Sequence, residues 1–153
     1  MEENRAVYTY LTTMYQKDYI LRMIEMFGEL LAGILGLIRK GEYNRASDQI
    51  GRVYYDMLRE DASFFRAIPE EELIHKLLLE HNFTNGHLEI LAELFNAEAE
   101  LSLAQGNKSG SIEYSGKSLI LFEFIDADQK TYSLERIHKI EAIRKRIETL
   151  QGS

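Results

Sequence analysis

Two Glu-x-x-His motifs are the residues of this chain whose types and spacing best suit metal chemistry. The first joins Glu72 to His75, and the second joins Glu135 to His138. Residues three apart on a helix share a face, so each motif can direct a carboxylate and an imidazole at one metal ion. Di-iron bundles combine two such motifs with a glutamate from each of two further helices. The spacing therefore leaves a metal-dependent enzyme as an alternative interpretation.

Three observations favour a chain without a metal or other cofactor. Four histidines in a glutamate-rich chain produce such pairs by chance. Glu72 follows Pro69 at the start of a predicted helix, where the helix dipole favours an acidic side chain. Glu135 and His138 are predicted to point away from the apolar stripe of the last helix. We therefore expect no bound metal, no cofactor and no catalytic residue.

A row of carboxylates on two predicted helices is the second candidate site. These helices span about residues 18–39 and 87–105, and each has an acidic polar face. Stacked helix pairs form a concave surface lined by the first helix of each pair. The sequence therefore predicts an acidic groove that prefers a basic or polar segment of a protein or peptide partner. The residues of this predicted groove are Glu25, Glu29, Glu89, Glu93 and Glu100.

The chain is predicted to have two parts. Residues 1–16 are an N-terminal arm or a short leading helix, because Val7–Tyr15 is rich in β-formers yet has no partner strand. Tyrosines between Tyr8 and Tyr19 make this arm a second candidate contact surface, since tyrosine suits half-buried interfaces. Residues 17–150 are predicted to form a single helical domain.

Glycine joints indicate how the helices of that domain pair. The apolar run Tyr19–Ile38 has helical spacing, and Gly41 follows it, where a left-handed residue ends many helices. A second helix runs from about residue 42 to residue 60. The connection is so short that the two helices must lie antiparallel. Gly106 marks a similar joint further along the chain.

The remaining pattern completes an all-α fold. We expect a loop at 61–68, a short helix from Pro69 to about His81, a long central helix at 87–105, and helices at about 108–126 and 133–150. The fold class is therefore all-α, with antiparallel helix pairs in a tetratricopeptide-like array of about six to seven helices.

Small residues mark a stripe on the first helix. Gly28, Ala32 and Gly36 recur at four-residue spacing, and Gly33 lies beside them. Because glycine costs helix propensity, the stripe predicts close packing against a neighbouring helix. On this interpretation, Gly36→Leu would force the two backbones apart and destabilise the protein.

Composition restricts the classes of partner. The net charge is −7, and the basic residues cluster only within 132–153, so we expect no nucleic-acid binding. The Tyr19–Ile38 run contains Arg22, Glu25 and Glu29, so we expect no membrane span. The chain has no cysteine, which excludes disulfides and thiol chemistry and suits a reducing, cytoplasmic setting.

Two resemblances refine these expectations. The glycine joints resemble tetratricopeptide repeats, although the usual tryptophan and closing proline are absent. The segment Asp18–Glu25 reads D-Y-I-x-R-x-I-E, and with the Gly41-x-Tyr43 joint it resembles a family of small uncharacterised bacterial tetratricopeptide-like proteins. The likeness covers about residues 18–150. It implies a helical fold, bacterial origin and a cytoplasmic setting, and it carries over no catalytic residue.

The sequence therefore favours a non-catalytic protein- or peptide-binding or scaffolding module. The metal-dependent enzyme remains the alternative. A self-associating protein, for example a homodimer, is the third interpretation.

Overall fold

The chain is all-α. The computed structural model describes the backbone of residues 2–129 and 132–153, and the side chains of residues 19, 21–129 and 132–153. Within these ranges there are seven α-helices and no strand. The helices are α1 Glu2–Arg39, α2 Tyr43–Leu58, α3 Ala62–Arg66, α4 Leu73–His75, α5 Asn85–Ala104, α6 Lys108–Asp128 and α7 Leu134–Gln151.

The first helix begins at Glu2, so the predicted start near Asp18 is wrong. Residues 2–16 form one continuous helix with the residues that follow them. Once packing has nucleated a helix, each further residue adds one backbone hydrogen bond at little cost. The strand preference of the β-forming residues in this segment is weak, so it does not prevent the helix from continuing through them. The side chains of residues 1–18, including most of the predicted tyrosine surface, lie outside the described residues.

Two glycines close the helix pairs with the same backbone motif. Gly41 and Gly106 have φ angles of 80° and 81°. At the first joint, the N–H of Gly41 bonds the carbonyl of Ile38 and the N–H of Glu42 bonds that of Leu37. Gly106 and its successor repeat this arrangement. Each is a Schellman cap, which turns the chain sharply and makes α1 and α2 antiparallel, and likewise α5 and α6.

Helix α5 lies at the centre of the domain, as its wide apolar arc predicts. It packs against α1 and α2 on one side and α6 on the other, and α7 then packs against α6. Nine of its apolar side chains are buried: Leu88, Ile90, Leu91, Ala92, Leu94, Phe95, Ala97, Ala99 and Leu101. An apolar helix of this breadth is stable only when it is covered on both sides.

Small residues of α6 allow it to lie close to α5. Ser111, Ser115 and Ser118 are buried. The Ser118 hydroxyl donates a hydrogen bond of 2.7 Å to the backbone carbonyl of Ala92 on α5. The poor helix propensity of this segment is therefore offset by close packing between the two helices.

Residues 61–80 differ most from the prediction. The predicted loop at 61–68 contains α3, and its Phe65 is buried and stacks on Tyr54 at 5.6 Å. The short helix after Pro69 is not regular, because a 3₁₀ turn at Glu70–Glu72 precedes α4 and a π-helix at Lys76–Glu80 follows it. Such irregular turns depend on what each side chain must reach in the core, so helical periodicity does not reveal them.

The prediction of close packing along the small-residue stripe is wrong. A Cβ atom at Gly28, Gly33 or Gly36 would meet no atom within 4 Å outside its own turn of helix. Gly28 and Ala32 are exposed, and the buried side of α1 is formed instead by Met23, Phe27 and Ile34. The stripe faces away from the core because those larger residues contribute more by burial.

Two glycine-to-alanine changes are expected to have opposite effects. Gly36→Ala should raise the free energy of unfolding by about 0.5–1 kcal/mol, because alanine is the better helix former and there is room for its methyl group. Gly41→Ala should lower it by about 1–2 kcal/mol, because its Schellman cap needs a left-handed residue. Urea denaturation measures both, and destabilisation by Gly36→Ala would restore the close-packing interpretation.

Helix α5 begins with a cap that depends on an uncharged histidine. The Thr84 hydroxyl accepts from the His87 backbone N–H, and the Thr84 backbone N–H donates to His87 Nδ1 at 3.1 Å. Nδ1 must therefore be unprotonated. Burial also lowers the pKa of His87 below the usual value of about 6.5.

Acidification should therefore weaken this cap. The folded-state pKa lies below the unfolded value, so the contribution to stability is complete above about pH 6.5 and is lost as the pH falls from there through the lower folded-state pKa. His87→Gln keeps a capping-box residue that does not titrate in this range. Melting temperatures between pH 8 and pH 5 should fall more for wild type than for His87→Gln. Parallel curves would show that His87 does not couple folding to pH.

Candidate functional site

An apolar surface depression lies between α1 and α2. This α1–α2 groove has a volume of about 420 Å³ and is lined by Tyr19, Arg22, Met23, Met26, Leu30, Asp56 and Met57. Met23 and Met57 are buried and form its floor. Tyr19, Met26 and Leu30 keep 55%, 60% and 41% of their surface exposed. Clustered exposed apolar side chains on a small domain mark a contact surface.

The apolar residues of the groove follow the spacing of a helix-packing seam. Tyr19, Met23, Met26 and Leu30 are separated by four, three and four residues. Spacing of this kind places knobs along one line of a helix, into which the side chains of another helix can fit. Methionine adds adaptability, because its unbranched side chain fits differently shaped partners. Arg22 and Asp56 supply opposite charges at the edge.

A second polar constellation lies inside the domain, around Glu98 of α5. Arg66 donates two hydrogen bonds of 2.7 Å to the Glu98 carboxylate, and the Tyr54 hydroxyl donates a third at 3.1 Å. Glu98 is only 5% exposed. Lys117 of α6, itself buried, donates to the Arg66 backbone carbonyl at 2.8 Å. The cluster therefore joins α2, α3, α5 and α6.

The hydrogen bonds of this cluster hold the neighbouring helices together, and we refer to Tyr54, Arg66, Glu98 and Lys117 as the clamp. Burial, followed by the Glu98 charge, raises the pKa of Tyr54 and raises that of Tyr114 to about 12. Both phenols therefore stay protonated near neutral pH and act as donors. The carboxylate is already held by three donated hydrogen bonds, so its role is to fix the position of α3. Sequence reasoning missed this cluster, although a glutamate between Ala97 and Ala99 on an apolar arc was a usable signal.

The five residues of the predicted acidic groove differ in burial and in their partners. Glu25 and Glu29 are exposed on α1. Glu93 is buried and paired with Lys139 of α7, and burial raises its pKa although Lys139 opposes that shift. Glu100 lies 3.9 Å from Arg146, also on α7. Glu89 is half-buried and near enough to Glu93 to add to the shift in its pKa.

The two Glu-x-x-His motifs are not brought together. Glu72, His75, Glu135 and His138 are all exposed, as the sequence predicts for the second motif. In the part of the chain that the structure describes, no three His, Asp or Glu side chains lie close enough to share a metal ion. Both motifs therefore lie on solvated surfaces of the domain.

Comparison with known proteins found no match to any protein-family model, to any curated protein or to any solved structure. None of the described helices combines the length and the apolar character needed to cross a bilayer.

The Arg66–Glu98 pair gives a test of the clamp. Arg66→Met should lower the free energy of unfolding by about 2–3 kcal/mol, because it leaves a buried carboxylate without its cation. This loss of free energy is smaller than for a fully buried ion pair, because the Arg66 side chain is 37% exposed and water screens the charge. The double variant Arg66→Met, Glu98→Gln removes the orphaned charge and should recover much of this loss. Equal stability of wild type and Arg66→Met in urea denaturation would show that the clamp contributes nothing.

Proposed function

We propose that this protein is a non-catalytic protein-binding module whose α1–α2 groove binds an amphipathic helix of a partner protein. The observation that carries this proposal is the row of exposed apolar side chains on α1, namely Tyr19, Met26 and Leu30, above a buried methionine floor. Exposing these side chains to water is unfavourable, and covering them on binding recovers that free energy.

Groove geometry favours a helix over an extended segment. Two antiparallel helices form its walls, and the apolar side chains repeat at helical spacing. A helix of the partner protein can pack its own apolar stripe along this seam, as in other helix-in-groove complexes. An extended peptide that binds by strand addition needs an open strand edge, and the described residues contain no strand.

Charge indicates which partner helix fits. The chain carries a net charge of −7, and the carboxylates of Glu25 and Glu29 are exposed on α1 beside the groove. A partner with basic residues flanking its apolar stripe would therefore associate faster and more tightly. This attraction should weaken as salt rises, because exposed charges are screened beyond about 8 Å at physiological ionic strength.

The proposal includes a tetratricopeptide-like scaffolding role in a bacterial cytoplasm. Its support is the repeated Schellman joint at Gly41 and Gly106, which stacks antiparallel helix pairs, together with the absence of cysteine from the sequence. We propose no nucleic-acid partner and no membrane partner. A second copy of the chain is the competing occupant of the groove.

A displayed library of helical peptides with randomised surface positions tests the groove directly. Selected peptides should carry apolar residues at three- and four-residue spacing with basic flanks. Their affinity, measured by fluorescence anisotropy, should fall about tenfold or more with Met26→Lys, because a charge would be buried at the centre of the contact. Glu25→Lys with Glu29→Lys should reduce both the affinity and its salt dependence.

Leu79→Lys is the matched control for these measurements. Leu79 is 69% exposed on the π-helical segment and does not line the groove. It should leave binding unchanged. Peptides that bind Met26→Lys as tightly as wild type would place the binding surface elsewhere. A doubled mass in light scattering, returning to a monomer with Met26→Lys, would show that a second copy occupies the groove.

A further inference from the structure

A second cavity lies beside the groove, between the end of α2 and the turn that leads into α5. It has a volume of about 280 Å³. Its lining residues are Met57, Leu58, Arg59, Glu60, His81, Asn82, Phe83 and His87. Met57 separates it from the α1–α2 groove, since this side chain lines both. The cavity is independent of the helix-binding function proposed above.

The backbone around this cavity is unusual at three places. Arg59 and Asn82 have φ angles of 63° and 54°, and they are the two non-glycine residues with positive φ among those described. Asparagine tolerates this region, but arginine at the cap of α2 occupies a position where glycine is usual. His81, another lining residue, is the C-cap of the π-helix Lys76–Glu80. Strained backbone of this kind concentrates at functional sites.

The cavity combines an apolar floor with opposite charges at its rim. Met57 and Leu58 are buried, and Phe83 is half-buried. Arg59 is exposed, and Glu60 follows it in the chain and is half-buried. Small-molecule sites typically have this composition, in which apolar walls bind the body of the ligand and a few polar groups fix its orientation.

His87 adds a directed hydrogen-bond donor. Its Nδ1 accepts from the Thr84 backbone N–H, so the neutral ring carries its proton on Nε2. The ring also stacks on Phe83, with 5.0 Å between centroids, which fixes its plane. An imidazole held in one tautomer and one orientation suits recognition of a carboxylate oxygen.

We propose that this cavity binds a small apolar zwitterion of the amino-acid class. Arg59 and the Nε2–H of His87 bind the carboxylate, Glu60 binds the ammonium group, and the apolar side chain contacts Met57, Leu58 and Phe83. The volume agrees with this class. A water molecule occupies about 30 Å³ in the liquid, so a cavity of about 280 Å³ has room for a small organic molecule such as leucine.

Calorimetric titration with three related compounds tests the proposal. Leucine has both charges, 4-methylpentanoate lacks the ammonium group, and 3-methylbutylamine lacks the carboxylate. We expect leucine to bind, and each analogue to bind at least about tenfold more weakly, as the loss of one charged contact implies. No heat or NMR shift change with leucine at millimolar concentration would overturn the proposal. Equal binding of leucine and 4-methylpentanoate would overturn the role of Glu60 and the zwitterion with it.

Substitution at the strained position separates binding from folding. Arg59→Gly removes the guanidinium and supplies the residue that the left-handed cap prefers, so this variant should melt at a higher temperature. It should nevertheless bind leucine at least about tenfold more weakly, which loss of structure cannot explain. Glu60→Gln should weaken leucine binding and leave 4-methylpentanoate unaffected. Arg52→Gln, an exposed change on α2 outside the cavity, should bind like wild type, and unchanged affinity of Arg59→Gly would overturn the proposal.

Discussion

Burial of α5 on both sides is the constraint on which the rest of the structure depends. Its apolar residues are covered by α1 and α2 on one side and by α6 on the other. The polar residues of the same helix are then carried into the interior and must find partners there, because an unpaired buried charge is costly. Glu98 is paired with Arg66, and Glu93 with Lys139. These pairs determine where α3 and α7 dock.

The same constraint leaves α1 with an uncovered face. Helix α1 contacts α2 and α5, and among its described side chains Met23, Phe27 and Ile34 are buried whereas Glu25, Met26 and Glu29 are exposed. The apolar residues along the edge of that contact form the groove. The proposed binding function therefore follows from incomplete coverage of one helix, whereas Glu93 and Glu98 of α5 are paired inside the fold.

Local sequence signals predicted the elements whose boundaries depend on neighbouring residues alone. Gly41 and Gly106 adopt the left-handed caps that their positions indicate. Ser133 caps α7 by accepting from the Arg136 backbone N–H, at the helix start that the sequence predicts near residue 133. Sequence patterns were less informative where the outcome depends on contacts with residues distant in the chain. The small-residue stripe of α1 is the clearest case, because spacing shows that residues share a face but not which face is covered.

The sequence by itself determined the all-α class, the antiparallel pairing at two glycine joints and the central place of α5, because these follow from periodicity and short connections. Tertiary structure alone decided whether each charged residue is buried in an ion pair or exposed to solvent. Glu93 and Glu98 became buried partners of Lys139 and Arg66, while Glu25 and Glu29 stayed in water. It also placed His81, His87 and Arg59 around one cavity. Sequence spacing cannot reveal such contacts, because they join residues far apart in the chain, and their formation depends on how whole helices pack.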